Sequence, residues 1–159
     1  MHTNFIKKKL VVAFILLFAF TVGYIRETIF VVINSVINDY AFPYNPSYLE
    51  PPAFLYDIET GNLIKIKWFL TFVFSLIFFG ITLWLVNFYF RSKSYNRIIL
   101  LTYSILFAAS LIITLLGFLF NQYESFYGIS RFIAGLLQYP LMTLILFTMF
   151  YFVNQLYRE

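Results

Sequence analysis

Arg26 and Glu27 set opposite charges side by side inside an otherwise apolar run that extends from Gly23 through Phe30 to Asn34. On a helix of about 3.6 residues per turn, Gly23, Arg26, Glu27, Phe30 and Asn34 fall on one face and form a polar seam. A second set, Arg131, Gly135, Gln138 and Met142, recurs at helical spacing and predicts another polar stripe, with Pro140 inside it as a kink. An ionised side chain costs about 2.5–3.5 kcal/mol at a bilayer centre and less near the interface, so such groups turn toward protein, water or a partner. Three kinds of chemistry are open. Glu27 can pair with Arg131, leaving Arg26 to face headgroups or a partner protein, and this is the expected arrangement. Alternatively both arginines snorkel separately to the interface. Glu27 can also act as a proton carrier, although a relay normally needs several titratable groups in sequence.

Other catalytic sets are missing. There is no Cys, which removes thiol nucleophiles, disulfides and thiolate metal sites, and the single His is His2. No HExxH, GxSxG, Walker loop or GxGxxG occurs. Asp57 and Glu59 stand in a Pro- and Gly-flanked stretch and read as a solvated acidic turn. No cofactor and no metal is expected.

The elements that must hold the polar seam are membrane helices. The chain of 159 residues is 62% hydrophobic and 11% charged, with a mean hydropathy of +0.83, too little polar surface to cover a soluble globule. The 23% aromatic content suits lipid-facing surfaces and interfacial belts. A single all-α domain of four transmembrane helices is expected, with spans at about 10–37, 68–90, 98–120 and 129–153. Lys7-Lys8-Lys9 before an apolar run has the form of a signal peptide, but no Ala-x-Ala follows, so an uncleaved first span is expected. Residues 38–67 form the expected outer loop. Four of the five prolines lie in it, and Tyr40, Phe42, Tyr44, Tyr48, Phe54 and Tyr56 place it on the membrane surface. Trp68 is the expected interfacial anchor of the second span. Ser104, Ala108, Ser110, Thr114 and Gly117 put small residues along the third span, which is therefore expected to be central.

Charge sets the orientation. One side holds Lys7, Lys8, Lys9, Arg91, Lys93, Arg97 and Arg158 against Glu159 alone. The other holds Arg26, Lys65, Lys67 and Arg131 against Glu27, Asp39, Glu50, Asp57, Glu59 and Glu124. The positive-inside rule then places both termini in the cytoplasm, and the net charge of +4 follows from topology rather than from a nucleic-acid partner.

Gly23-Tyr24-Ile25-Arg26-Glu27 with Ile29 to Asn34, Lys67-Trp68-Phe69-Leu70-Thr71 with Phe74-Ser75-Leu76, and Ser130-Arg131-Phe132 with Gly135-Leu136-Leu137-Gln138 and Pro140 resemble the small multi-span proteins associated with exosortase systems in Bacteroidota, of the exosortase F-associated or a related type. The resemblance implies a non-catalytic accessory or scaffold in a bacterial inner membrane. Its partners would be membrane lipids and a larger membrane protein such as an exosortase, the transpeptidase-like enzyme that processes proteins with a carboxy-terminal sorting signal. Exosortases resemble cysteine proteases with Cys, Arg and His as the active set, and this chain has no Cys to serve that role. The residues that would carry docking are Arg26, Glu27, Asn34, Arg131 and Gln138. A homo-oligomeric transporter or binding protein for small solutes or lipids is the alternative.

Overall fold

A computed structural model describes residues 2–38 and 50–156, apart from the side chains of residues 2–6 and 123–124. Tyr40, Phe42, Tyr44 and Tyr48, the charges Asp39, Arg158 and Glu159, and the side chains of His2 and Glu124 lie outside what is described. The described residues form five α-helices and one short 3-10 turn: α1 (His2–Ile37), the turn Ala53–Leu55, α2 (Thr60–Phe90), α3 (Lys93–Leu119), α4 (Tyr123–Leu137) and α5 (Pro140–Leu156). The helices α1, α2 and α3 are each long and apolar enough to cross a membrane. The pair α4 and α5 meets that test only jointly and is bent by 59° at its break.

The helix ends follow from local chemistry. Pro52 opens the short 3-10 turn, which closes through Leu55 N–H to Pro52 O at 2.9 Å. The helix α2 begins eight residues before the expected start of its span, so Lys65 and Lys67 belong to a helix and not to the outer loop. Its far end closes on Arg91, in the left-handed region at φ 54°. Asn121, at φ 55°, ends α3 in the same way, a conformation its short polar side chain tolerates. Lys93 to Arg97 likewise extend α3 beyond the expected third span.

Much of the apolar surface points outward. Of the most apolar stretch of α2 only 33% is buried, and for α1 the share is 17%. Exposed apolar area on that scale is untenable in water and natural in lipid, which makes this a multi-pass membrane protein. The core is correspondingly thin. One cluster joins Ile15 and Ala19 of α1 to Phe78, Ile81 and Leu85 of α2. The other joins Val86 of α2 and Ile99 and Tyr103 of α3 to Leu137, Leu146 and Phe150 of the last pair. Beside it, Tyr95 stacks on Phe150 with centroids 4.4 Å apart.

Rather than α3, it is α2 that packs extensively against every other helix. Ser104 and Ala108 face outward, while Ser110, Thr114 and Gly117 are buried against α4, so only part of the small-residue row on α3 is used for close packing. Hydroxyls take the polar role at two places. Thr82 of α2 meets Tyr103 of α3 at 3.1 Å and Thr143 of α5 at 2.8 Å. Ser130 of α4 meets Ser110 at 2.9 Å and Thr114 at 2.6 Å, both on α3. Interhelical hydrogen bonds of this kind average about 0.6 kcal/mol in membrane proteins, with a ceiling near 1.7. Thr82 also keeps Tyr103 and the Phe78 carbonyl as partners, so removing Thr143 costs one shared bond without orphaning its mate. Thr143→Val should therefore lower the unfolding free energy in micelles by about 0.5–1.5 kcal/mol. Thr82→Val combined with Thr143→Val should lose less than the two single changes added together, as read from a denaturation cycle.

Candidate functional site

The helical face read from the sequence is largely an inward face: Gly23, Arg26 and Phe30 are buried and Asn34 is half-buried, with Glu27 at its exposed edge. Arg26 is 9% exposed, and its guanidinium is held on three sides. Its Nε and Nη2 donate to Gln138 Oε1 at 3.3 and 3.1 Å. Its Nη1 donates to Glu27 Oε2 at 2.8 Å and to the Tyr139 hydroxyl at 2.7 Å. The Tyr139 hydroxyl in turn donates to Glu27 Oε2, closing a ring of three groups. The guanidinium carbon lies 4.2 Å from the Phe30 ring centroid and 4.6 Å from that of Tyr139, so aromatic faces supply the remaining contacts.

The acceptors come from the break between α4 and α5. Pro140 has no N–H to give to the carbonyl of Leu136, and its ring disfavours helical conformation at the residue before it. The helix therefore stops at Leu137, with Gln138 N–H turning back to Gly135 O at 2.9 Å. The expected kink at Pro140 is thus a break, with Pro140 itself opening α5. Gln138, 2% exposed, anchors its own amide by donating Nε2 to Ala134 O at 3.0 Å, which fixes Oε1 toward Arg26. Gly23 allows the approach. A Cβ there would meet Pro140 Cδ at 3.0 Å, closer than ordinary van der Waals contact, so the missing side chain lets α1 and the break close on each other.

The expected Glu27–Arg131 ion pair is not formed. Among the described residues Glu27 pairs with Arg26, and Arg131 lies exposed on α4 without an ion pair. Arg26 is thus the buried member of the set rather than the one turned outward. Two circumstances account for this. Adjacent side chains on a helix do not point at each other by backbone geometry alone, but the long Arg26 side chain bends to reach Glu27. The predicted stripe through Arg131, Gln138 and Met142 assumed a continuous helix, and the break turns Gln138 inward and sends Met142 to the apolar cluster. Asn34 accepts from Lys67 Nζ at 2.7 Å, joining α1 to α2 near the same end of the bundle. Tyr139 is the functional neighbour that sequence reasoning did not single out, whereas Phe30 stands on the seam face as expected. The position of Tyr139 immediately before Pro140 was the available signal.

Two hollows flank the arginine. One of about 150 Å³ lies between α2, α3 and α4 and is reached by Arg26, Lys67 and Arg131. The other, about 550 Å³ and more open, lies between α1 and α4 and is edged by Glu27, Asn34, Phe132 and Tyr139. No family model, curated protein or solved structure matches this chain. The class its own residues define is a multi-pass helical membrane protein in which an arginine clamp binds the first helix to the break in the last helix pair.

The clamp should behave as a unit. Arg26→Met leaves the Gln138 carbonyl unmated and Glu27 without its counter-ion, for an expected loss of about 1–3 kcal/mol, moderated because the Glu27 side chain is 48% exposed and open to screening. Adding Gln138→Leu should recover part of it. Gly23→Leu should destabilise by about 1–3 kcal/mol through overpacking against Pro140. Chemical denaturation in micelles reads all three.

Proposed function

We propose that the chain is a non-catalytic accessory subunit of a larger membrane assembly, and that the assembly is the exosortase-type system its sequence resembles. The corresponding topology is a four-span bundle in a bacterial inner membrane, with α4 and α5 together forming the fourth span and both termini cytoplasmic. The observation that carries this reading is the state of Glu27. It is the one acidic residue in the interior of the predicted spans, and it is committed to Arg26 and Tyr139. A proton relay needs further acids in line with it, and the described parts of the spans contain none. A transport path is likewise disfavoured, since Arg26 and Gln138, although they border the hollows, spend most of their hydrogen-bonding capacity on protein partners.

What is left for a partner is the groove between α1 and α4. Its rim combines the exposed Phe132 with the half-exposed carboxylate of Glu27, an apolar anchor beside a charge. A transmembrane helix of the larger enzyme would lie along it. Co-expression of the tagged protein with the exosortase of the same genome tests this. The enzyme should be retained in mild detergent, and Phe132→Ala or Val31→Trp, which respectively remove the anchor and fill the groove, should lower retention about tenfold or more, equivalent to roughly 1.4 kcal/mol. Full retention by both variants, or no retention by the unaltered protein, overturns the accessory reading.

A further inference from the structure

The smaller hollow has an unusual charge inventory. Arg26, Lys67 and Arg131 line it, and no carboxylate does so among the described residues. Arg26 has Glu27 as counter-ion, whereas Lys67 and Arg131 form no ion pair among the described residues. Lys67 commits one ammonium hydrogen to Asn34 Oδ1 and keeps two. Arg26 commits four of its five N–H groups and keeps one on Nη2. The neighbouring hydroxyls of Thr71 and Ser75 are turned to the backbone carbonyls of Lys67 and Thr71. Cations sharing a cavity of low dielectric repel one another, and an anion placed among them removes that penalty while accepting charge-assisted hydrogen bonds.

Size and depth narrow the anion. A cavity of about 150 Å³ accommodates a guest the size of benzene. That admits a phosphate group but excludes a nucleotide or a whole lipid. Lys8 bonds to Tyr89 O at 2.8 Å and ties the first turns of α1 to the end of α2. With that end at one interface, a hydrocarbon layer about 30 Å thick spans about 20 residues of α2 and ends near Phe69. Lys67 and Trp68 therefore stand at the level of headgroups on the opposite face. Just within that level Phe72, Phe107 and Leu111 line the cavity and are also exposed on the outer surface, which makes the mouth apolar and open to lipid.

We propose that this cavity binds the phosphomonoester head of a membrane amphiphile, whose apolar chain leaves past Phe72, Phe107 and Leu111. A phosphomonoester carries about −1.5 to −2 charge at neutral pH, matching Lys67 and Arg131 together. A single carboxylate or phosphodiester would leave one of them uncompensated. The cavity shares Arg26, Phe30 and Arg131 with the groove assigned to a protein partner, but Lys67 and Ala134 line only the cavity and Val31 and Phe132 only the groove, so loss of lipid selectivity and loss of enzyme retention are read with different variants.

The test titrates the full chain in micelles with phosphatidic acid, phosphatidylcholine or inorganic phosphate, reading thermal midpoint and lipid retained in native mass spectra. Phosphatidic acid should bind at least about tenfold more tightly than either of the others. Lys67→Gln should abolish that preference. So should Ala134→Leu, which fills the cavity and keeps every cation, and whose midpoint in phosphatidylcholine verifies that it is folded. Equal binding of the two lipids, or a preference that survives Ala134→Leu, overturns the site. Inorganic phosphate binding as tightly as phosphatidic acid overturns the lipid carrier and assigns a free anion instead.

Discussion

A guanidinium removed from water must find acceptors for its hydrogens and a negative charge near them, and in this protein that requirement fixes where the first helix meets the last pair. Arg26 cannot be satisfied by α1 alone, because Glu27 supplies one carboxylate oxygen and little else. The missing acceptors come from Gln138 and Tyr139, which are free to offer them because Pro140 has ended the helix they would otherwise continue. The break and the buried charge therefore depend on each other. Without the break Gln138 would follow the ordinary helical stripe, and without Arg26 its inward amide oxygen would have no donor.

The remaining cohesion is distributed in the same spirit. Lipid is as apolar as leucine, so helices in a bilayer gain little by merely adjoining, and close approach with a few directed bonds does the joining. Thr82 serves α2, α3 and α5 at once, and Ser130 meets two hydroxyls of α3. At the other end the rings of Tyr89, Phe90, Tyr95 and Phe147 interlock around the start of α3.

Span-length apolar runs made the helices readable from sequence, because each must satisfy its backbone internally in lipid. Where the run ended was a poorer guide to where the helix ended. Lys65 and Lys67 interrupt hydropathy but not helical geometry, and α2 runs through them to Thr60. The inward face of α1 was also readable, since the spacing of Gly23, Arg26 and Phe30 depends on local periodicity alone. The acceptors that Arg26 finds in Gln138 and Tyr139 were not. Placing them required following the helix into the break at Pro140, where the chain bends by 59° and the count of residues per turn no longer tells direction. Small residues on α3 were ambiguous for a related reason: Ser104 and Ser110 look alike in sequence, and only the placement of α4 decides which is buried.

The 36 residues of α1 extend about 54 Å and the 31 of α2 about 46 Å, against a hydrocarbon layer of about 30 Å. Since Lys8 and Tyr89 meet at one end, the surplus length of both helices gathers at the other. With the Lys8–Tyr89 end at one interface, the two would form an overhang beyond the fatty acyl region, with Ile33 and Leu63 buried within the protein and Asn34 bridging to Lys67. In that setting the apolar residues of α1 beyond Phe30 would serve contact between two antiparallel helices rather than contact with lipid.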